Sequence, residues 1–263
     1  MGVLVGPVSA AAAVVLAALT APPAAAIDVD LELVLAVDVS RSVDEEEEFV
    51  QRRGYVEAFR HPSVAQAIQS GLHGRVAVTY IEWAGSAHQV QVVPWRVLAS
   101  PQDAGAFADE LAAAPLTRET RTSISTGLQF AADLFSSNDA QGTRRAIDIS
   151  GDGPNNAGRP VLSVRKELIA DGVVINGLPV LIRPTDYFNF LGPVRLDHYY
   201  RDCVIGGDGA FLIAVEDESQ FIPAIRRKLV LEIAGLPPRV FLAADEPERP
   251  PVDCLIGERA RGL

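Results

Sequence analysis

The sequence predicts an α/β fold, namely a doubly wound, mostly parallel central sheet with one antiparallel edge strand and with helices on both faces. Two patterns predict this fold. Short runs of branched apolar residues alternate with segments of helical periodicity, as in proteins whose parallel strands are joined by helices. Residues 75–83 and 88–95 also have strand character, and they are separated by a connection typical of a hairpin, Ala84-Gly85-Ser86. We therefore expect one antiparallel strand at an edge of the sheet.

The predicted elements alternate along the chain. The most apolar run, residues 31–37, predicts a buried strand. The helix predicted at 44–59 carries four glutamates in its first turn, where negative charge suits the positive end of the helix dipole. The other predicted strands are residues 144–150, 173–181 and 210–215, and the other predicted helices are 62–70, 101–113, 123–135, 161–170, a segment near 193–200, and 218–234.

Length and composition indicate one domain with flanking segments. The chain has 263 residues, of which 48% are hydrophobic, so it can build a single core and is not of the disordered class. We expect residues 27–235 to form the domain and residues 236–263, which contain several prolines, to form an extended tail. The formal net charge of −11 excludes nonspecific nucleic-acid binding, because neutralising phosphates requires a basic face.

Residues 1–26 have the pattern of a secretory signal peptide. They carry no charged side chain, and their apolar run is followed by Pro22-Pro23 and an Ala-x-Ala ending that suits signal peptidase. A retained membrane anchor is the alternative, because residues 3–21 approach spanning length and no Lys or Arg precedes them. We expect cleavage and export to a bacterial periplasm or the extracellular space, with no integral membrane segment in the mature chain. The 23 basic residues include only two lysines, a bias typical of GC-rich bacterial genomes.

Cys203 and Cys254 are the only cysteines. In an exported chain, a lone pair of cysteines favours a disulfide over a metal site. Two unpaired buried thiols are the alternative, since spacing alone does not prove contact. If the disulfide forms, we expect it to hold the proline-rich tail in place without touching the loops that carry Asp38, Thr122 and Asp152.

Five oxygen-bearing side chains follow predicted strands or precede a predicted helix. Asp38, Ser40 and Ser42 come directly after the buried strand in an Asp-x-Ser-x-Ser pattern, and Thr122 and Asp152 follow later. Because parallel strands end at one edge of a sheet, we expect these loops to meet there. Mg²⁺ takes about six oxygen ligands, and hydroxyls bind it without neutralising its charge. The set therefore predicts a magnesium-type site able to capture an acidic group, with no catalytic group obvious beside it.

With these motifs, the chain resembles the von Willebrand factor A-type domain, whose metal-ion-dependent adhesion site (MIDAS) uses Asp-x-Ser-x-Ser, a Thr and a distal Asp. Residues 122–128 are similar to the second metal loop of that family, and residues 146–153 to its strand that ends in Asp-Gly. Residues 198–203 and 224–232 resemble a functionally uncharacterised bacterial branch of exported A-type domains. The resemblance covers about residues 30–235 and implies the Rossmann-like fold of that family.

The resemblance also implies a role for each residue of the site. Ser40, Ser42 and Thr122 would ligate Mg²⁺ or Mn²⁺ directly, and Asp38 and Asp152 would do so directly or through water. The ion would then bind an acidic side chain of a protein partner, so the domain would be a binding module and not an enzyme.

Two arginines depart from the family pattern. Arg41 stands where Gly is usual, and Arg121 precedes Thr122 where a Gly pair is common. Glycine permits close approach of the backbone to a ligand. Guanidinium groups at these positions would narrow the site, repel a second cation or reinforce the capture of a carboxylate.

Simpler interpretations exist for the individual motifs. Ser40 and Ser42 have the chemistry to cap the helix that follows them, and Asp152-Gly153 is also typical of a plain turn. These interpretations require three coincidences, whereas one metal site explains all three motifs in their structural context.

The enzyme alternative is a phosphatase of the haloacid dehalogenase type, whose magnesium loop is similar to Gly151-Asp152-Gly153-Pro154-Asn155-Asn156. That chemistry requires a nucleophilic aspartate, an acidic aspartate two residues later and a lysine that steadies the phosphate. Here Ser40 stands two residues after Asp38, and both lysines, Lys166 and Lys228, follow Asp152 in the chain.

Overall fold

The structure is a computed structural model that describes Gly2 and residues 26–40, 45–182, 195–236 and 250–260, without the side chains of residues 45–48. Ser42, Arg41 and nearly all of the predicted signal peptide lie outside these residues. Among the residues described, no helix has the length and apolarity needed to cross a membrane.

A five-stranded sheet forms the centre of the domain. Its strand order is β4-β3-β2-β6-β7, in which β3 and β4 are antiparallel and the other neighbours are parallel. Two short strands, β1 and β5, form a separate parallel pair. The strands are β1 (Ile27–Val29), β2 (Leu31–Asp38), β3 (Val76–Trp83), β4 (Gln89–Leu98), β5 (Ala140–Gly142), β6 (Arg145–Gly151) and β7 (Val173–Pro179). The predicted fold class is confirmed, including the single antiparallel edge strand.

Helices cover both faces of this sheet. Strand β2 divides the core, because Leu33 on one face joins a cluster with Phe59 and Leu229, while Val34 on the other face joins a cluster with Leu128. The helices are α1 (Glu45–Arg60), α2 (Pro62–Gln69), α3 (Pro101–Ala113), α4 (Ile124–Asp133), α5 (Val161–Ala170), α6 (Leu196–Tyr199), α7 (Phe221–Ala234) and α8 (Ile256–Ala260). Short 3₁₀-helices follow α4 (Leu134–Ser136) and precede α7 (Glu218–Gln220), and a π-helix follows α6 (Tyr200–Val204).

The prediction of a regular strand at residues 210–215 is wrong. This segment meets β7 only at isolated bridges, Gly177 with Leu212 and Val180 with Val215. A continuous parallel ladder would require the N–H of residue 179 to donate to the carbonyl of residue 213. Residue 179 is proline and has no N–H, so the ladder is interrupted there.

Within the segment predicted to be an extended tail, residues 256–260 form a helix instead. A disulfide joins Cys203 to Cys254, as predicted, and the residues that follow form α8. Ile256 at the start of α8 is 7% exposed and packs with the core cluster on the α4 face. Burial of this apolar side chain together with the covalent link holds the segment against the domain.

A buried charge cluster lies beneath β6. The Lys228 ammonium of α7 is 2.6 Å from Asp148 Oδ1 and 2.5 Å from Glu232 Oε1, and all three side chains are almost completely buried. Burial and the nearby Asp148 charge raise the pKa of Glu232 to about 8, although Lys228 acts in the opposite direction. The cluster is thus two acidic groups that share one cation of the chain.

Candidate metal centre

Three loops meet at the carboxyl ends of the central strands. β2 ends at Asp38, and β6, which pairs with β2, ends next to Asp152. The loop before α4 is attached to the same edge, since Ser123 N donates to the carbonyl of Ala84 at 2.7 Å, one residue beyond β3. The sequence therefore folds so that residues far apart in the chain share one edge of the sheet.

The Asp38 carboxylate is fully buried at this edge. Its Oδ1 accepts a hydrogen bond from Ser40 N at 2.8 Å. Its Oδ2 is also buried and has no hydrogen-bond partner of normal geometry among the residues that the structure describes. Such an atom is costly in a protein interior unless a cation or a donor reaches it.

The charge of Asp152 adds to this cost. Burial raises the pKa of Asp38 well above its usual range, and the negative charge of Asp152 raises it further. Backbone N–H groups of Ser40 and Asp152 oppose the shift by donating to the Asp38 carboxylate. Two acidic groups thus face each other at a buried position, which is an environment that fits a divalent cation.

Gly151 makes this close arrangement sterically possible. A Cβ at this position would lie 3.0 Å from Asp38 Oδ2, 2.8 Å from the Tyr200 hydroxyl and 3.3 Å from Cζ2 of Trp83. The Tyr200 hydroxyl and Trp83 Nε1 are buried without hydrogen-bond partners among the described residues. Gly151 thus lets the Asp38 carboxylate, the Tyr200 hydroxyl and the Trp83 ring approach one another.

Thr122 faces the loop that carries Asp152. Its N–H donates to Asn156 Oδ1 at 3.1 Å, and its carbonyl accepts from Asn156 N at 2.9 Å. A Cβ on Gly153 would lie 3.8 Å from the Thr122 hydroxyl, so this hydroxyl is next to the Asp152-Gly153 turn. Thr122 is 4% exposed, and its position is fixed by backbone contacts on both sides.

Ser40 is buried two residues beyond the end of β2. It forms a parallel bridge with Glu119, and Glu119 N donates to the carbonyl of Val39 at 2.9 Å. Four of the five predicted ligands are described. Asp38 interacts with both Ser40 and Asp152, and Thr122 faces the Asp152-Gly153 turn.

The backbone at Arg121 is strained. Its φ of 73° lies in the left-handed region, which side chains other than glycine and asparagine rarely adopt. Arg121 is the only residue other than glycine with a positive φ among the residues that the structure describes. The strained residue immediately precedes Thr122 and is part of the geometry of the site.

Sequence reasoning missed several residues that shape the centre. Asn156 binds the backbone of Thr122, Tyr200 approaches Gly151, and Trp83 fills the space beside Asp38. An Asn pair directly after Asp-Gly-Pro was a usable signal, because Asn side chains readily bind backbone groups. Tyr200 gave no signal, since it reaches the site from a distant segment.

The described residues contain no group of three or more His, Cys, Asp or Glu that could hold a metal ion. The edge of the sheet instead combines two carboxylates with hydroxyls. This donor set suits a hard, oxygen-seeking cation better than a soft one.

The family described as "Protein of unknown function (DUF1194)" matches residues 28–237. A comparison with curated proteins gives no match.

Solved structures share the fold at low sequence identity. Proximal thread matrix protein 1 from the mussel byssus, in a structure with a zinc-occupied MIDAS motif, is 17% identical with a TM-score of 0.57, over 80% of this chain and 49% of that chain. A von Willebrand factor type A protein from Catenulispora acidiphila is 12% identical with a TM-score of 0.55, over 78% and 43% of the two chains. The conserved hypothetical protein BatB from Bacteroides thetaiotaomicron is 16% identical with a TM-score of 0.51, over 78% and 99%.

These similarities establish a von Willebrand A-type fold. The chain spans about half the length of the byssus protein chain that it matches.

Proposed function

We propose that this chain, which belongs to the DUF1194 family, is an exported binding domain that captures an acidic group of a protein partner through a bound Mg²⁺ or Mn²⁺ ion. One observation carries the proposal. Asp38 Oδ2 is buried without a hydrogen-bond partner among the described residues, beside the charge of Asp152. A divalent cation would compensate both carboxylates at once.

The proposed ligands are those that the sequence predicts. The hydroxyls of Ser40, Ser42 and Thr122 would bind the ion directly, and the carboxylates of Asp38 and Asp152 would do so directly or through water. Because three of the five groups are neutral hydroxyls, the protein ligands balance the charge of the ion without exceeding it, and its open position can still accept one more anionic ligand. A carboxylate of the partner would fill that position.

The fold supports this interpretation at a coarser level. Proximal thread matrix protein 1 has its MIDAS motif occupied by zinc in one structure, and a divalent ion at the corresponding edge is what we propose for this chain. We favour Mg²⁺ or Mn²⁺ here because the donors are all hard oxygens.

Recognition of the partner would be local. The net charge of −11 disfavours long-range attraction to an acidic partner, and exposed charges are screened beyond about 10 Å at 0.1 M salt. Export is consistent with the pattern of residues 1–26 and with the disulfide. No nucleic acid is expected among the partners.

We do not propose the phosphatase reaction. Lys228 is held by Asp148 and Glu232 in the core, and Lys166 is exposed on α5. Ser40 stands where that reaction needs a second aspartate. A screen with p-nitrophenyl phosphate and Mg²⁺ should therefore give no turnover, and turnover that Asp38→Ala abolishes would contradict a purely binding role.

Calorimetric titration with Mn²⁺ tests the metal site in the exported form of the chain. Asp38→Ala and Asp152→Ala should each weaken binding by about tenfold or more, since each removes a carboxylate from the donor set. The matched control is Asp208→Ala, which removes an exposed aspartate near the amino end of β6. Unchanged Mn²⁺ binding in both site variants would contradict the proposed metal site.

Capture of a partner is tested separately by a pull-down from bacterial envelope extract, with and without EDTA. We expect partners to be lost in EDTA and with an Asp38→Ala bait. Equal retention under all three conditions would indicate a metal-independent surface.

A further inference from the structure

The C-terminal segment, residues 250–260, packs against the loop that follows Asp152. It is anchored at two points before α8 begins: Cys254 is bonded to Cys203, and Val252 N donates to Asp202 Oδ2 at 2.9 Å. In α8, the Glu258 side chain turns toward the domain, and the residue is only 8% exposed. The tail therefore contacts the loop that follows Asp152, whereas the sequence predicted only that the disulfide would hold the tail in place.

One side chain, Asn155, connects this segment to the loop before α4. Asn155 is completely buried, and its Nδ2 donates to Glu258 Oε1 at 2.7 Å. Its Oδ1 accepts from Ser125 N at 3.0 Å. Ser125 lies in the first turn of α4, where N–H groups have no partner within the helix. Asn155 thus caps α4, and Glu258 holds Asn155 from the opposite side.

The contact between the two segments is close enough to involve the backbone. A Cβ on Gly257 would lie 2.1 Å from the carbonyl oxygen of Asn155 and 3.1 Å from Cγ of Pro154. Only a glycine fits between α8 and the loop. Any displacement of α8 would therefore be transmitted to residues 154 and 155.

The other half of the disulfide is connected to the same loop. Cys203 belongs to the π-helix Tyr200–Val204, which follows directly after α6. Asn155 N donates to the Tyr199 hydroxyl at 3.2 Å, and the Tyr200 hydroxyl approaches Gly151. The disulfide therefore joins two elements that contact the loop between Gly151 and Asn156 from different directions.

We infer that the C-terminal segment, anchored by the disulfide, positions the loop between Gly151 and Asn156 through the hydrogen bond from Asn155 to Glu258. Glu258 and Asn155 are thus positioning residues of the candidate metal centre. The consequence for metal affinity rests on the proposed function. The positioning of the loop itself does not rest on the proposed function, because it can be measured by the hydrogen exchange of the Thr122 and Ser125 amides in the absence of metal.

The test compares Glu258→Ala with two matched variants in the full exported chain. Glu258→Gln keeps an oxygen that accepts from Asn155. Arg259→Ala removes the neighbouring side chain, which is exposed and pairs with Asp253 at 2.7 Å within the same segment. The first readout is the hydrogen exchange of the Ser125 and Thr122 amides, and the second is the dissociation constant for Mn²⁺.

We expect Glu258→Ala to speed exchange at both amides by about tenfold, the effect of losing one buried, charge-assisted hydrogen bond. Mn²⁺ binding should weaken by about the same factor. Glu258→Gln should restore both quantities, and Arg259→Ala should leave them as in the wild type. The double variant Cys203→Ser/Cys254→Ser, with circular dichroism to confirm that it is folded, should change both in the direction of Glu258→Ala.

Three results would show whether Glu258 positions the loop and whether that positioning affects the metal centre. Unchanged exchange at Ser125 and Thr122 in Glu258→Ala would overturn the inference. Faster exchange with unchanged Mn²⁺ affinity would overturn the positioning role at the metal centre. If the wild type binds no Mn²⁺ but exchange responds to Glu258→Ala and is restored by Glu258→Gln, the proposed function fails and the positioning of the loop is supported.

Discussion

Two buried pairs of acidic residues lie on or beside β6, and they differ in the groups that compensate their charge. In the core, Asp148 and Glu232 share the Lys228 ammonium at 2.6 and 2.5 Å. At the carboxyl edge, Asp38 lies beside Asp152, and one Asp38 oxygen is buried without a hydrogen-bond partner among the described residues. The core pair receives its cation from α7, whereas hydrogen bonds from backbone N–H groups of Ser40 and Asp152 support the edge pair.

The difference separates a structural charge cluster from a candidate binding site. A buried ion cluster whose cation belongs to the chain is complete as soon as the protein folds. A buried carboxylate at the end of a strand, next to loops, instead lies at the edge of the sheet where α/β proteins place their ligand sites. Asp148 and Asp152 are only four positions apart in the sequence, so the distinction comes from the tertiary environment and not from local composition.

The largest effect is expected from removing the cation of the core pair. Lys228→Met should lower the free energy of unfolding by about 3–5 kcal/mol at neutral pH, because the buried Asp148 loses its counter-ion and Glu232 loses its hydrogen-bond donor. Urea unfolding followed by circular dichroism measures the change. Lys166→Met is the control, since this lysine is exposed and its loss should cost less than about 0.5 kcal/mol. A loss equal to that of the control would mean that the cluster contributes no stability.

The pH dependence of stability should reveal the same cluster. The pKa of Glu232 is raised from 4.5 to about 8 by burial and by Asp148. The folded state thus holds a proton that the unfolded state releases, so the contribution of Glu232 is complete below pH 4.5 and is lost as pH rises toward about 8. We expect a loss of about 2–4 kcal/mol over this range, which Glu232→Gln removes. If the free energy of unfolding changes with pH in parallel in the wild type and in Glu232→Gln, the pH dependence does not come from Glu232.

A smaller effect of opposite sign is expected at the edge pair. In EDTA, Asp38→Asn should stabilise the fold by about 1 kcal/mol, because it removes a buried charge that faces Asp152. The same variant should lose Mn²⁺ binding. Asp148→Asn is the matched control and should destabilise, because Lys228 loses a partner. If Asp38→Asn destabilises as much as Asp148→Asn does, the two pairs do not differ as we describe.

The fold was largely predictable because it depends on local patterns. The helices at Pro101–Ala113 and Val161–Ala170 were predicted with their observed bounds, and the boundary of β2 was predicted to within one residue. Residues 210–215 were mispredicted because a single proline on the neighbouring strand interrupts their pairing. That information lies in β7 and not in the segment itself.

The candidate site was predictable only in part. Strand ends that carry Asp, Ser and Thr are visible in the sequence, and the assignment of these residues as metal ligands stays a prediction. The contacts from Asn155 to Ser125 and Glu258 depend on residues 30 and 103 positions away. No local pattern encodes such contacts. The disulfide was predicted from compartment and cysteine number, but its closeness to the Asp152 loop was not.

The location of Trp83 has a practical consequence. Trp83 and Trp95 are the only tryptophans, and Trp83 is completely buried next to Gly151 and Asp38. Trp95 packs on Phe135, and its Nε1 donates to the carbonyl of Leu134. Indole emission responds to nearby charge. A Trp95→Phe protein would have its single tryptophan beside the carboxylates, and excitation of this indole would test without any label whether an added ion binds there.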